Sequence, residues 1–165
     1  MEKTDNQLKY ENYREQFNRL NSALRNGFNL EAMFIEYAIM EDRTESVLRH
    51  AEMWDTYLKR RRNNGATLNS KIVFIQKQIE ANRKQLLCRY FSDDLLDRIL
   101  LWKDERNRLI HALLKQQLEH NEIQMLAQQG KSLADELRNR AGNYNRAADR
   151  RKAENQTINP DSFAG

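Results

Sequence analysis

The sequence predicts an all-α protein, an antiparallel four- or five-helix bundle with a long C-terminal helix. Three observations point there. One proline and five glycines in 165 residues are too few to supply the turns of an all-β chain. Leu, Ala, Glu, Gln, Lys and Arg, the strong helix formers, dominate the composition. Hydrophobic residues make up 39% and charged residues 32%, with a mean hydropathy of −0.93, the balance of solvated helices carrying narrow apolar stripes. Residues 1–141 are expected to form one helical domain, and 142–165 a flexible basic and polar tail.

The elements follow from apolar spacing. Leu8, Tyr13, Phe17, Leu20 and Leu24 mark a first helix, closed by Gly27 as a C-terminal cap. Asn29 can cap a second helix whose period, from Leu30 through Met33, Tyr37, Met40, Val47, Ala51 and Trp54 to Leu58, predicts one rod of about eight turns. Asn63-Asn64-Gly65 is the clearest turn signal, and Asn69 or Ser70 then opens a third helix carrying Ile72, Ile75, Ile79, Leu86 and Leu87. Ser92, followed by Asp93 and Asp94, reads as the start of a fourth.

In that fourth helix the apolar line Leu95, Ile99, Trp102 meets six polar residues, 103–108, before Leu109, Ile110 and Leu113 resume it. Either the helix breaks near Trp102 and restarts at Asp104, or it continues and places Arg106 on the apolar line. Residues from Lys115 to Arg140 form a weaker, Gln-, Glu- and Lys-rich pattern containing Gly130, a helix able to project from the bundle.

Several function classes are excluded. No stretch approaches the about 18 apolar residues of a membrane span, and Glu2, Lys3, Thr4 and Asp5 precede any apolar run, so the expected location is the cytoplasm, with no membrane partner. Cys88 is the single cysteine, which excludes an intrachain disulfide and a thiol-rich metal site. There is no glycine-rich phosphate loop, G-x-S-x-G elbow or H-E-x-x-H helix, so neither metal nor cofactor is expected. A net charge of +4 favours an acidic partner. Its cations cluster at Lys59-Arg60-Arg61-Arg62 and, more loosely, between Arg138 and Lys152. Both clusters also suit solvated helix ends.

Of the three histidines, His50 and His120 read as surface or half-buried structural residues. His111 has more telling neighbours. Arg106, Asn107 and His111 put a permanent cation, an amide and an imidazole within about a turn and a half of helix. Asn107 and His111 are an i,i+4 pair on one face, and Arg106 is offset by roughly 140° with a side chain long enough to reach round. Such a trio suits phosphodiester chemistry: an imidazole can move a proton to or from ribose oxygens, and a guanidinium can stabilise phosphorane charge. The competing readings are a structural ion pair for Arg106 and an interface role for His111. Glu36, Glu41 and Asp42 are candidate acidic partners, with Glu41, flanking the stripe through Tyr37, Thr44 and Leu48, preferred.

These residues resemble the motif of the HEPN superfamily, helical bundles whose ribonuclease members carry Arg-x4–6-His on a late helix, often with a polar residue after the Arg. Here that string is Arg106-Asn107-x-x-x-His111. The resemblance spans about residues 8–126 in topology. It implies a homodimer that cuts RNA without metal, acting as a toxin or anti-phage defence effector, with an antitoxin or other protein partner possible. Arg106 and His111 would be catalytic, Asn107 orienting, Glu41 the acidic partner, and Arg60, Arg61, Arg62 and Arg108 RNA-binding. Leu113 stands where some members carry a modifiable Tyr. The alternatives are a non-catalytic helical interaction module and an RNA-binding bundle without cleavage.

Overall fold

The computed structural model describes residues 5–61 and 65–158. Its elements are α1 (Asp5–Arg25), α2 (Asn29–His50), α3 (Trp54–Arg61), α4 (Leu68–Glu80), α5 (Gln85–Phe91), α6 (Leu95–Ala112) and α7 (His120–Ile158). Among the described residues there is no strand, so the all-α class and the long C-terminal helix hold. No helix of these residues is long and apolar enough to cross a membrane.

The chain divides into two compact units, each discontinuous in sequence. Unit 1 comprises Met1–Ile39 and Ile99–Ala134, and unit 2 Met40–Arg98 and Asp135–Gly165. In unit 1 the buried apolar side chains are Phe17, Leu20 and Ala23 of α1, Ala32, Met33, Ile35 and Ile39 of α2, Ile99, Trp102 and Leu109 of α6, and Leu126, Ala127 and Leu133 of α7. The Trp102 indole, itself buried, donates to the Leu126 carbonyl at 2.9 Å. In unit 2, Tyr57 of α3 lies edge-on to Phe74 of α4 and shares a 2.6 Å hydrogen bond with Ser70. Tyr144 of α7 lies edge-on to Tyr90 and Phe91 of α5.

Three helices end by the same device. Gly27, Glu52 and Asn82 all have positive φ, of 75°, 58° and 47°. After each, the next amide reaches back five residues: Phe28 to Ala23, Met53 to Leu48 and Arg83 to Gln78. This is the Schellman closure, which satisfies the last carbonyls of a helix. Gly27 is the cap expected from sequence. Glu52 and Asn82 correct two expectations, because the rod predicted from Leu30 to Leu58 breaks into α2 and α3, and the helix predicted from Asn69 to Leu87 breaks into α4 and α5. The opening of α4 lies at Thr67, which forms a reciprocal capping box with Ser70.

Helix α6 is continuous through its polar stretch, which selects the second of the two readings for that segment. Helix α7 runs on through much of the segment expected as a tail, staying helical to Ile158 and burying Ala141, Tyr144 and Ala148 at three- and four-residue spacing. Residues 159–165 of that expectation lie outside the described ones.

Candidate active site

Because α6 does not break, its period fixes where the motif points. Arg106 falls on the stripe of Ile99, Trp102 and Leu109 and is 8% exposed. His111 falls on the solvent side, and Asn107 is half-buried between them.

A buried guanidinium needs compensation. Here it comes from aromatic faces and an amide, not from an ion pair. The Arg106 Cζ lies 4.8 Å from the Phe34 ring centroid and 4.9 Å from that of Tyr37, both on α2. Its Nη1 donates to Asn107 Oδ1 at 3.1 Å, while its Nε is buried without a hydrogen-bond partner. Burial lowers the Arg106 pKa, opposed by Tyr37 and Glu36, and the group stays a cation because guanidinium starts so high.

The acidic group in this environment is Glu36, which has no exposed surface. Neither of its carboxyl oxygens has a hydrogen-bond partner among the described residues. Burial pushes its pKa up to about 9, only partly offset by the positive charges of Lys131 and Arg106. Glu36 is therefore a neutral acid near pH 7 and gives the Arg106 charge no anionic partner. Its carboxyl abuts the backbone of α7 at Gly130, where a Cβ would also come within 2.6 Å of the Trp102 ring.

Glu41, the preferred partner from sequence, does not fill that role. It belongs to unit 2 and faces Lys71, 3.8 Å away, while Lys71 also reaches Glu45 at 3.2 Å. The reason is register. Glu36 stands three residues after Met33 and four before Met40, both fully buried, so it shares the inward face that Glu41 only borders.

His111 is exposed near the end of α6 and has no hydrogen-bond or ion-pair partner among the described residues. Arg106 and Asn107 are thus brought together, and His111 follows Asn107 by one turn on the same side. The guanidinium itself points at α2 and is not directed to His111.

The expected RNA-binding residues are dispersed. Arg108 is held by Glu105 and Glu122 at 2.9 and 2.7 Å, which raises its pKa. Arg60 lies over the Phe74 ring at 5.4 Å and Arg61 donates to the Gly65 carbonyl, both in unit 2. Arg62 lies outside the described residues. Among those residues no group of three or more His, Cys, Asp or Glu is placed to hold a metal ion.

Sequence reasoning named Glu36 but missed its centrality, and it missed Gly130, Phe34 and Tyr37 as parts of the site. The signal for Glu36 was its place on the Met33–Met40 line, the same anomaly that drew attention to Arg106. Compared with protein-family models, curated proteins and solved structures, the chain gave no match.

Proposed function

We propose that this protein is a metal-independent endoribonuclease of the HEPN type, with His111 as its proton-transfer group. The observation that carries this reading is a guanidinium without an anionic hydrogen-bond partner, tied to Asn107 at the root of a face from which His111 projects. Neutral His111 takes the proton of a ribose 2′-hydroxyl. The 2′-oxygen attacks the adjacent phosphorus, the bond to the 5′-oxygen breaks, and that oxygen takes up a proton. The products are a 2′,3′-cyclic phosphate and a 5′-hydroxyl. Asn107 can donate to a non-bridging oxygen, and the Arg106 charge beneath it lowers the energy of the phosphorane.

A single exposed imidazole serves one end of this reaction, and the resemblance supplies the other from a second copy of the chain. Action as a toxin or defence effector in the cytoplasm, restrained by an antitoxin, belongs to the same proposal.

A second reading, a non-catalytic interaction module, is favoured by the burial of Arg106 under Phe34 and Tyr37, which keeps it from touching a substrate directly. One experiment separates the two. Wild type and His111→Ala are incubated with end-labelled single-stranded RNA in excess EDTA. The nuclease reading expects cyclic-phosphate ends from wild type, at least 100-fold slower cleavage by the variant (about the contribution of a general acid or base), and unchanged circular dichroism. Equal cleavage by both proteins, or by neither, leaves the module.

A further inference from the structure

Unit 2 contains a concave basic surface to which the preceding reading gives no role. Helix α4 ends at the left-handed Asn82, and the chain turns through Arg83 and Lys84 into α5, bringing Gln85, Leu86 and Arg89 opposite the face of α7 that carries Ala147, Arg150 and Arg151. Two adjoining grooves result, of about 360 and 330 Å³. They share Gln85, Leu86 and Arg151 and so lie side by side along one channel-like surface.

Six cations line these grooves: Arg83, Lys84, Arg89, Arg150, Arg151 and Lys152. All but Lys152 are exposed, and the side chains of those five have no ion-pair or hydrogen-bond partner among the described residues. By contrast, Arg49 is held by Glu45 at 2.8 Å, Arg98 by Glu136 at 3.0 Å, and Arg140 by Glu136 at 2.6 Å. Two acids line the grooves. Glu52 pairs with Lys152 at 3.1 Å and also feels the charge of Lys84, and Glu154 is the other opposing charge. Like charges gathered along a concavity repel one another and focus positive potential into it, a cost that a bound polyanion removes.

We propose that this channel between α5 and α7 binds the phosphodiester backbone of a single-stranded nucleic acid. Four of the six cations are arginines, whose planar forks match phosphate oxygens in pairs. The large exposed hydrophobic side chains all lie elsewhere, so the channel lacks the inserting groups of a membrane surface and the aromatic anchors of a protein interface. It also presents no exposed aromatic ring for base stacking, because Tyr144, its aromatic lining residue, is 2% exposed. Recognition is therefore of the backbone and tolerant of base sequence. The proposal extends an RNA-directed function to a second surface and stands independently of cleavage at His111.

The test uses the full chain carrying His111→Ala, in EDTA, so that binding is read without cleavage. Fluorescein-labelled oligouridylate, oligothymidylate of equal length and poly-glutamate are titrated by anisotropy at several salt concentrations. Arg89→Glu/Arg151→Glu is expected to weaken oligonucleotide binding at least tenfold and to flatten the salt dependence. The loss in slope should be about 1.4, since each neutralised phosphate of a single strand contributes roughly 0.7. Lys77→Glu, at an exposed cation of unit 2 outside the channel lining, is expected to change neither. RNA retained over DNA assigns the channel to RNA, and equal binding assigns it to either backbone. Arg89→Gln/Arg151→Gln, a milder change, should give a smaller loss of the same sign if charge reversal perturbs folding. Unchanged oligonucleotide binding in both double variants, an equal loss through Lys77→Glu, or poly-glutamate binding as tightly as the oligonucleotides would overturn the proposal.

Discussion

Gly130 exists where it does because Glu36 lies against it. The carboxyl of Glu36 occupies the space a Cβ at position 130 would need, and the fully packed Trp102 ring, 1% exposed, closes the other side at 2.6 Å from that point. In an exposed helix, Gly→Ala stabilises by about 1 kcal/mol. Here overpacking, at about 1–3 kcal/mol, opposes that gain. Gly130→Ala is therefore expected to lower stability by about 1 kcal/mol net, read as a lower urea midpoint with unchanged slope. A raised midpoint would mean that Glu36 and Trp102 can move aside.

The ionisation of Glu36 makes stability depend on pH. Its folded-state pKa of about 9 lies above the ordinary carboxylate value of 4.5, so between those limits the native state holds a proton that the unfolded chain has lost. The contribution is complete below pH 4.5 and is lost progressively as pH rises towards about 9. Wild type should therefore lose stability relative to Glu36→Gln across that window, by at most about 1.4 kcal/mol per pH unit. Parallel stability curves for the two proteins from pH 5 to 8.5 would show that Glu36 is ionised.

Arg106 supplies an independent measure of the same state. With Glu36 neutral, Arg106→Met removes two cation–π contacts and one hydrogen bond but strands no charge, so a loss of about 1–2 kcal/mol is expected at pH 7. With Glu36 ionised, the stranded carboxylate would raise the loss to about 3–5 kcal/mol. Chemical denaturation of Arg106→Met alone and combined with Glu36→Gln distinguishes the cases. Near-additive values accord with a neutral acid, and a large rescue by the second substitution contradicts it.

Glu52 holds a left-handed conformation, φ 58°, that costs an L residue about 1–2 kcal/mol and glycine nearly nothing. Against this stand the greater freedom of glycine in the unfolded chain and an exposed pair with Lys152, at 3.1 Å, of little worth. Glu52→Gly is expected to raise the thermal midpoint by a few degrees, about 0.5 kcal/mol net. A lowered midpoint would show that the ion pair to α7 outweighs the backbone strain.

The same residues explain what was legible in advance. The close of α1 could be read because Gly27 advertises a left-handed cap. The close of α2 could not, because Glu52 has no local preference for that conformation and is held there by amide bonds back to Leu48 and Arg49. The inward face of α7 beyond Ala141 was hidden by composition, since Arg146, Asp149, Arg150 and Arg151 mask the four-residue spacing of Tyr144 and Ala148. The Arg106-Asn107-His111 string was legible as a motif, but its split between a buried guanidinium and an exposed imidazole required an unbroken α6.

By itself the sequence determined the helical class, most helix starts and the residues whose chemistry stands out, because periodicity and capping are encoded within a few turns of chain. Only the tertiary structure decided which acid accompanies Arg106, that this acid is protonated, and where the unpaired cations of α5 and α7 converge. Those properties depend on desolvation and on approach between segments distant in sequence, which no local pattern specifies.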